Sequence, residues 1–197
     1  MPQKFDTRKK YLLLSEERQT AIQPETLLRD LGLTSGDTLA DIGCGPGFFT
    51  IPAAQIVGPE GLVMAADIQG EMLTAVRSRA AEMDLHNVHV VKTSETEIPI
   101  RPGSCDMALL AFTLHEIDNH AIFLHRAART LKPSGRLVVM EWEKREQESG
   151  PPYADRLAPE DLLADAQAAG LRLADRRSVG DDDYLCVFTR AEATFVV

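Results

Sequence analysis

In Leu39-Ala40-Asp41-Ile42-Gly43-Cys44-Gly45-Pro46-Gly47, a short apolar run that fits a buried strand enters a loop with glycine at every second position. Glycines there let the backbone turn sharply and approach a ligand with no Cβ in the way. The helix expected after such a loop begins with amides free for polar contacts. The unit reads as a nucleotide-cofactor loop, and a glycine-rich turn without a ligand is the plainer alternative. Outward from it, strands and helices alternate, the signature of a parallel sheet covered on both faces. Ligands of such sheets collect at the C-terminal ends of the strands.

The glycine spacing narrows the ligand. A dinucleotide loop reads G-x-G-x-x-G and seats a pyrophosphate on a helix start. Here the pattern is G-x-G-x-G with an acid, Asp41, two residues ahead. That arrangement resembles motif I of the class I S-adenosylmethionine-dependent methyltransferases. The cofactor so implied has no phosphate; it carries a zwitterionic amino acid, a sulfonium and a nucleoside. Asp41 would hold its ammonium directly or through water, while the backbone of Gly43, Cys44, Gly45 and Gly47 packs against its carboxypropyl arm.

A second acid, Asp67, ends the apolar run Leu62-Val63-Met64-Ala65-Ala66, twenty positions after Gly47. A carboxylate at that strand tip accepts hydrogen bonds from both ribose hydroxyls. It also suits the N-cap of a helix opening at Gly70, and the two readings can coexist. Ile68 and Met72 beside it are expected in the cofactor site. Strand three, Val88 to Lys92, is commonly followed in the family by Gly-Asp-Ala; this chain has Thr93-Ser94-Glu95, so Ser94 holds the Asp place and Glu95 is the nearest carboxylate for the adenine. After strand four (Met107 to Leu110), Ala111, Phe112 and Thr113 match the place where the family lines the cofactor and opens to the acceptor. Leu131-Lys132-Pro133-Ser134-Gly135 resembles the LKPGG turn before strand five, with Ser134 for a glycine. The resemblance spans residues 35–145. It implies an α/β, Rossmann-like, doubly wound sheet of seven mostly parallel strands with an antiparallel last strand, and places the chain beside the quinone-biosynthesis methyltransferases.

Middle helices are expected from Gly70 to Met83 and His120 to Leu131, and a later one from Pro159 to Ala169 closed by Gly170. Leu171 to Val179 and Tyr184 to Arg190, joined by Gly180-Asp181-Asp182-Asp183, predict a terminal hairpin. Residues 1–34 form a helical segment ahead of the cofactor domain, 35–197. In many similar enzymes such a segment closes over the cofactor as a lid and shapes the acceptor pocket, with Tyr11 the candidate here. An ordinary packing helix with a frayed start is the alternative.

A chain of 197 residues makes one domain with a sizeable core. Its net charge of −9 disfavours a nucleic-acid partner, whose phosphates call for clustered Lys and Arg, and favours a small-molecule acceptor. Three cysteines without C-x-x-C fit reduced thiols, and the lack of a long apolar run or a leader pattern gives a cytoplasmic, non-spanning expectation. The edge strand of the terminal hairpin could pair between two copies as a homodimer.

His115-Glu116-Ile117-Asp118-Asn119-His120 superficially echoes the zinc signature H-E-x-x-H, yet histidines five apart on a helix are turned roughly 140° from one another, so no metal is expected. Pro151-Pro152-Tyr153 follows strand five rather than four and lacks the preceding Asn of the adenine-N6 methyltransferases. Methyl transfer from a sulfonium is an in-line displacement in which alignment supplies much of the rate. Where the acceptor is a hydroxyl, His115 or Glu116 could remove its proton; lining or pairing roles are the alternative. Glu141, Trp142 and Glu143 end strand five, where Trp142 either lines the acceptor pocket or fills core.

Overall fold

The computed structural model describes residues 5–94, 96–147 and 150–191. Among these residues seven strands form one sheet: β1 (Thr38–Ile42), β2 (Leu62–Asp67), β3 (Val88–Lys92), β4 (Cys105–Ala111), β5 (Leu131–Trp142), β6 (Leu171–Val179) and β7 (Asp183–Arg190), in the order β3-β2-β1-β4-β5-β7-β6. The first five are parallel; β7 runs antiparallel to both β5 and β6. Chain order reverses between β1 and β4, so the crevice where open α/β sheets hold ligands falls beside the glycine loop.

Among the described residues there are six α-helices: α1 (Glu16–Ile22), α2 (Pro24–Asp30), α3 (Thr50–Val57), α4 (Gly70–Glu82), α5 (His120–Arg129) and α6 (Pro159–Ala168). Side chains alternate between sheet faces with the period of two that a strand imposes. Leu39, Val63, Met107, Leu109, Val138 and Met140 pack with Leu28 of α2 and Ala53 and Ile56 of α3. Ala40, Ala108, Leu110, Leu137 and Val139 pack on the other face with Leu124 and Ala127 of α5 and Leu162 of α6. Cys44, Cys105 and Cys186 are free and buried. Among the described residues no helix is long and apolar enough to cross a membrane.

Two expectations change in detail. The expected turn before strand five is an irregularity inside a longer strand, because Cys105 pairs with Leu131 but Met107 already pairs with Arg136. Gly135 permits the tight return: a Cβ there would lie 2.9 Å from the Cys105 carbonyl oxygen. The N-terminal segment also divides in two. Leu28, Leu31 and Leu33 belong to the core beneath the sheet, whereas the residues before them, a 3₁₀ stretch Thr7–Leu14 and then α1, line the crevice. The outer edge of the sheet is β6, where Arg172, Asp175, Arg176 and Arg177 place charge along the unpaired side, a pattern that discourages edge-to-edge association.

Candidate active site

The C-terminal ends of β1, β2 and β4 open into a cavity of about 1150 Å³. Its glycine loop is held by its own amides. Gly43 and Cys44 N–H both donate to the Ala66 carbonyl, at 2.7 and 3.0 Å, Gly45 N–H donates to Asp67 Oδ2 at 2.9 Å, and Gly47 N–H to the Cys44 carbonyl at 3.0 Å. The expectation of free amides at a helix start is corrected, because the first turn of α3 uses its own: Ile51 N–H donates to the Gly47 carbonyl at 3.3 Å and Ala53 N–H to that of Phe49 at 3.0 Å, and the loop offers a ligand Cβ-free backbone instead. Gly43 needs its φ of +77°, and a Cβ there would lie 2.3 Å from Thr113 Oγ1.

Asp41, at 2 % exposure, accepts a 2.5 Å hydrogen bond from Thr50 Oγ1. Burial pushes its carboxyl up to about 7 against that bond, and the charge of Asp67 adds to the rise. Burial also raises Asp67, opposed by the amides of Gln69 and Gly45 and by the Lys92 ammonium. Gln69 N–H donates to Asp67 Oδ1 at 2.7 Å, and the N-cap of α4 is Gln69, so Asp67 braces the loop rather than capping the helix. Each of its oxygens keeps a further lone pair. Ile68 and the buried Met72 lie beside it, and Ser94 stands exposed at the cavity rim. Glu95 lies outside the described residues. The donor set fits S-adenosylmethionine: carboxylates for an ammonium and a ribose, and bare backbone for an aliphatic arm; Arg79, which donates to the Pro46 and Gly47 carbonyls at 2.9 Å, braces the loop from outside the cavity lining.

Beyond Ala111 the wall turns aromatic. Phe112 adopts φ of 55°, a left-handed conformation rare for a bulky residue, and its N–H donates to the Met140 carbonyl at 2.7 Å. Its ring lies 5.0 Å from Trp142, which lines the cavity. The Arg18 guanidinium of α1 sits 4.5 Å from the Phe112 centroid and 5.0 Å from that of Phe48. Thr113 Oγ1 donates to the Ala111 carbonyl at 3.1 Å. His115 Nδ1 lies 2.8 Å from Glu141 Oε2, whose other oxygen accepts the Leu114 and His115 amides at 2.7 and 3.2 Å. Burial works against a charged imidazole, but the Glu141 carboxylate outweighs it and His115 is raised. Burial likewise raises Glu116, whose Oε1 accepts the Phe5 N–H at 3.2 Å.

The Phe5 carbonyl in turn accepts from Gln69 Nε2 at 3.0 Å, so the N-terminal segment is tied to the exits of both β2 and β4. Tyr11, expected to reach the site, is 67 % exposed and does not line the cavity. With three residues per 3₁₀ turn it falls on the same side of the stretch as exposed Arg8, and Leu13 lies inward beside Gly45. Three groups were not singled out for what they do here: Arg18, Asp183, and Glu141 as partner of His115. Only Glu141 had a readable signal, as an acid at a strand end.

The methyltransferase-domain family model matches residues 40–139. Demethylmenaquinone methyltransferase of Staphylococcus aureus is 30 % identical over 123 residues, 62 % of this chain and 50 % of that protein; the chain thus spans about half the length of the curated relatives it matches. Its structure is similar to that of a SAM-dependent methyltransferase from Aquifex aeolicus, with a TM-score of 0.89 and 31 % identity over 94 % of this chain and 98 % of that one. Geranyl diphosphate C-methyltransferase from Streptomyces coelicolor, solved with S-adenosyl-L-homocysteine, shares the fold at a TM-score of 0.74 and 16 % identity, over 95 % of this chain and 87 % of that one.

Proposed function

The chain belongs to the methyltransferase-domain family, whose cofactor is S-adenosylmethionine, and on that premise we propose that it methylates a small-molecule acceptor. One observation carries the reading: the glycine loop, Asp67 and an aromatic wall share a single cavity that the segment from Phe5 to Ile22 roofs over. A roofed cavity suits a ligand that fits inside it rather than a polymer. The acidic lining, with Glu17, Asp155 and Asp181 to Asp183 beside Asp41 and Asp67, disfavours polyphosphate.

When bound, S-adenosylmethionine supplies a methyl on a sulfonium, which leaves by in-line displacement. Asp67 binds the ribose and Asp41 the ammonium, with Gly43, Cys44, Gly45 and Gly47 along the aliphatic arm. Ile68, Met72 and Ser94 flank the nucleoside. Ala111, Phe112 and Thr113 border the reacting centre, and Trp142 supports a flat acceptor against Phe112. His115 takes the acceptor's proton: with Nδ1–H donated to Glu141, its Nε2 is the basic nitrogen. Glu116 holds the roof through the Phe5 amide rather than acting as the base. Demethylmenaquinone, named in the Staphylococcus relatives, is the first acceptor chemistry to test.

Calorimetry with S-adenosylhomocysteine tests the cofactor half: the wild type binds, and Asp67→Ala binds at least about tenfold more weakly, as loss of charge-assisted hydrogen bonds requires. Tritium carried from labelled cofactor into the low-molecular-weight fraction of a cell extract supports the acceptor class. Label in RNA or protein would replace it with a macromolecular substrate. Binding without transfer to any fraction would leave a non-catalytic cofactor-binding module.

A further inference from the structure

Arg18 is a cation held against two aromatic rings with no hydrogen bond to its guanidinium among the described residues. Phe48 and Phe112 approach the guanidinium from their rings, at 5.0 and 4.5 Å. Its Nε is buried without a hydrogen-bond partner, and no ion pair within 4.0 Å forms between Arg18 and any described residue. Asp183 lines the same cavity at 8 % exposure, with Oδ1 buried and also unpartnered. A buried guanidinium and a buried carboxyl group with orphaned atoms, lining one space without closing on each other, are costly unless a third group completes them. Burial lowers Arg18 to about 10, still cationic at neutral pH, with Asp183 opposing the fall.

Planar guanidinium edges match carboxylates in a paired geometry, and ring contacts on the faces fix the plane without consuming the donors. Apart from His115, which is engaged with Glu141, the other charged groups lining the cavity among the described residues are carboxylic acids, so an anion entering it has Arg18 as its natural partner. Resting on the methyltransferase reading, we propose that Arg18 is the cavity's carboxylate receptor. It receives, along its free edge, either the carboxylate of the cofactor's amino-acid end or that of an acceptor.

Calorimetry on the full chain separates the two sources, using Arg18→Met, which keeps an apolar stem between the rings, and Arg18→Lys, which keeps the charge without the fork. The probes are S-adenosylhomocysteine, 5′-methylthioadenosine, which lacks the amino-acid end, and benzoate against benzamide on protein saturated with S-adenosylhomocysteine. If the cofactor is the source, Arg18→Met binds S-adenosylhomocysteine about 10- to 100-fold more weakly and methylthioadenosine unchanged, with Arg18→Lys between. If the acceptor is the source, both nucleosides bind unchanged, while benzoate binding is lost in Arg18→Met and benzamide binding is not altered. Wild type and variants alike toward both S-adenosylhomocysteine and benzoate would overturn the proposal alone. Wild type that binds neither nucleoside overturns the methyltransferase reading and this proposal with it. Melting curves of both variants establish that they are folded, and Arg18→Lys serves if Arg18→Met is not.

Discussion

Glu141 is 1 % exposed, yet its carboxylate is fully engaged, one oxygen on two backbone amides and the other on His115 Nδ1. In Glu141→Gln the amide oxygen can stay on those N–H groups, which turns the NH₂ toward Nδ1. The imidazole must then accept there and carry its proton on Nε2. A base becomes a donor, so we expect turnover to fall about 10²- to 10⁴-fold, as in His115→Ala, with S-adenosylhomocysteine affinity retained. If His115 is the base, its raised imidazole predicts an acid limb of kcat/KM in the wild type above the ordinary 6.5, read from a pH-rate profile. Asp41 carries a different cost. Unfolded, it ionises near 3.8; folded, burial holds its proton to about 7. Between those values the folded state binds more protons, so stability falls as pH rises through the window and levels off above it. Asp41→Asn keeps an acceptor for Thr50 Oγ1 and loses the ionisation. It should melt higher than wild type at pH 8, on the order of 2 kcal/mol, and near wild type at pH 4, while binding S-adenosylhomocysteine more weakly. Melting curves across pH for both proteins check this, and part of the slope remains because Asp183 is raised in the same direction.

At the scale of elements, the glycine loop and the exit of β4 are interlocked. Gly43→Ala must fit a methyl against Thr113 in a left-handed backbone, which we expect to cost about 2–4 kcal/mol in denaturant titration and to weaken cofactor binding. That loop was legible because its glycines, its acid and the strand before it are adjacent in sequence. Strand positions were legible for a related reason: buried parallel strands read as apolar runs, and those of β2, β3 and β4 match the structure to within about two residues at each end. What was hidden depends on distance along the chain. Arg18 meets Phe48 and Phe112 only after the sheet has formed, and no spacing rule joins residues so far apart. Tyr11 looked like the site residue of its segment because it is aromatic, whereas the short 3₁₀ turn determines which side chains face inward. The KPSG step read as a turn because proline and glycine usually punctuate strands, yet β5 absorbs it as an irregularity beside Cys105.

Across the whole molecule, the roof hangs from a few bonds. Phe5 joins Gln69 to Glu116, and the 3₁₀ stretch beyond it has little core of its own, so residues 5–22 should open more readily than the sheet. Hydrogen exchange should show those amides exchanging fast in the free protein and slowing on addition of S-adenosylhomocysteine, with β4 and β5 protected throughout. Unchanged exchange in the segment would make it fixed packing rather than a lid. The same view gives the antiparallel β7 a meaning beyond its place in the sheet. Because it runs against its neighbours, it starts where they finish, and the turn from Gly180 to Asp182 is delivered to the cavity mouth. Such a turn can be lengthened residue by residue while β6 and β7 keep their register. Insertions at that one point could retune which acceptor enters during divergence, while the glycine loop and Asp67, on the other side of the crevice, stay as they are.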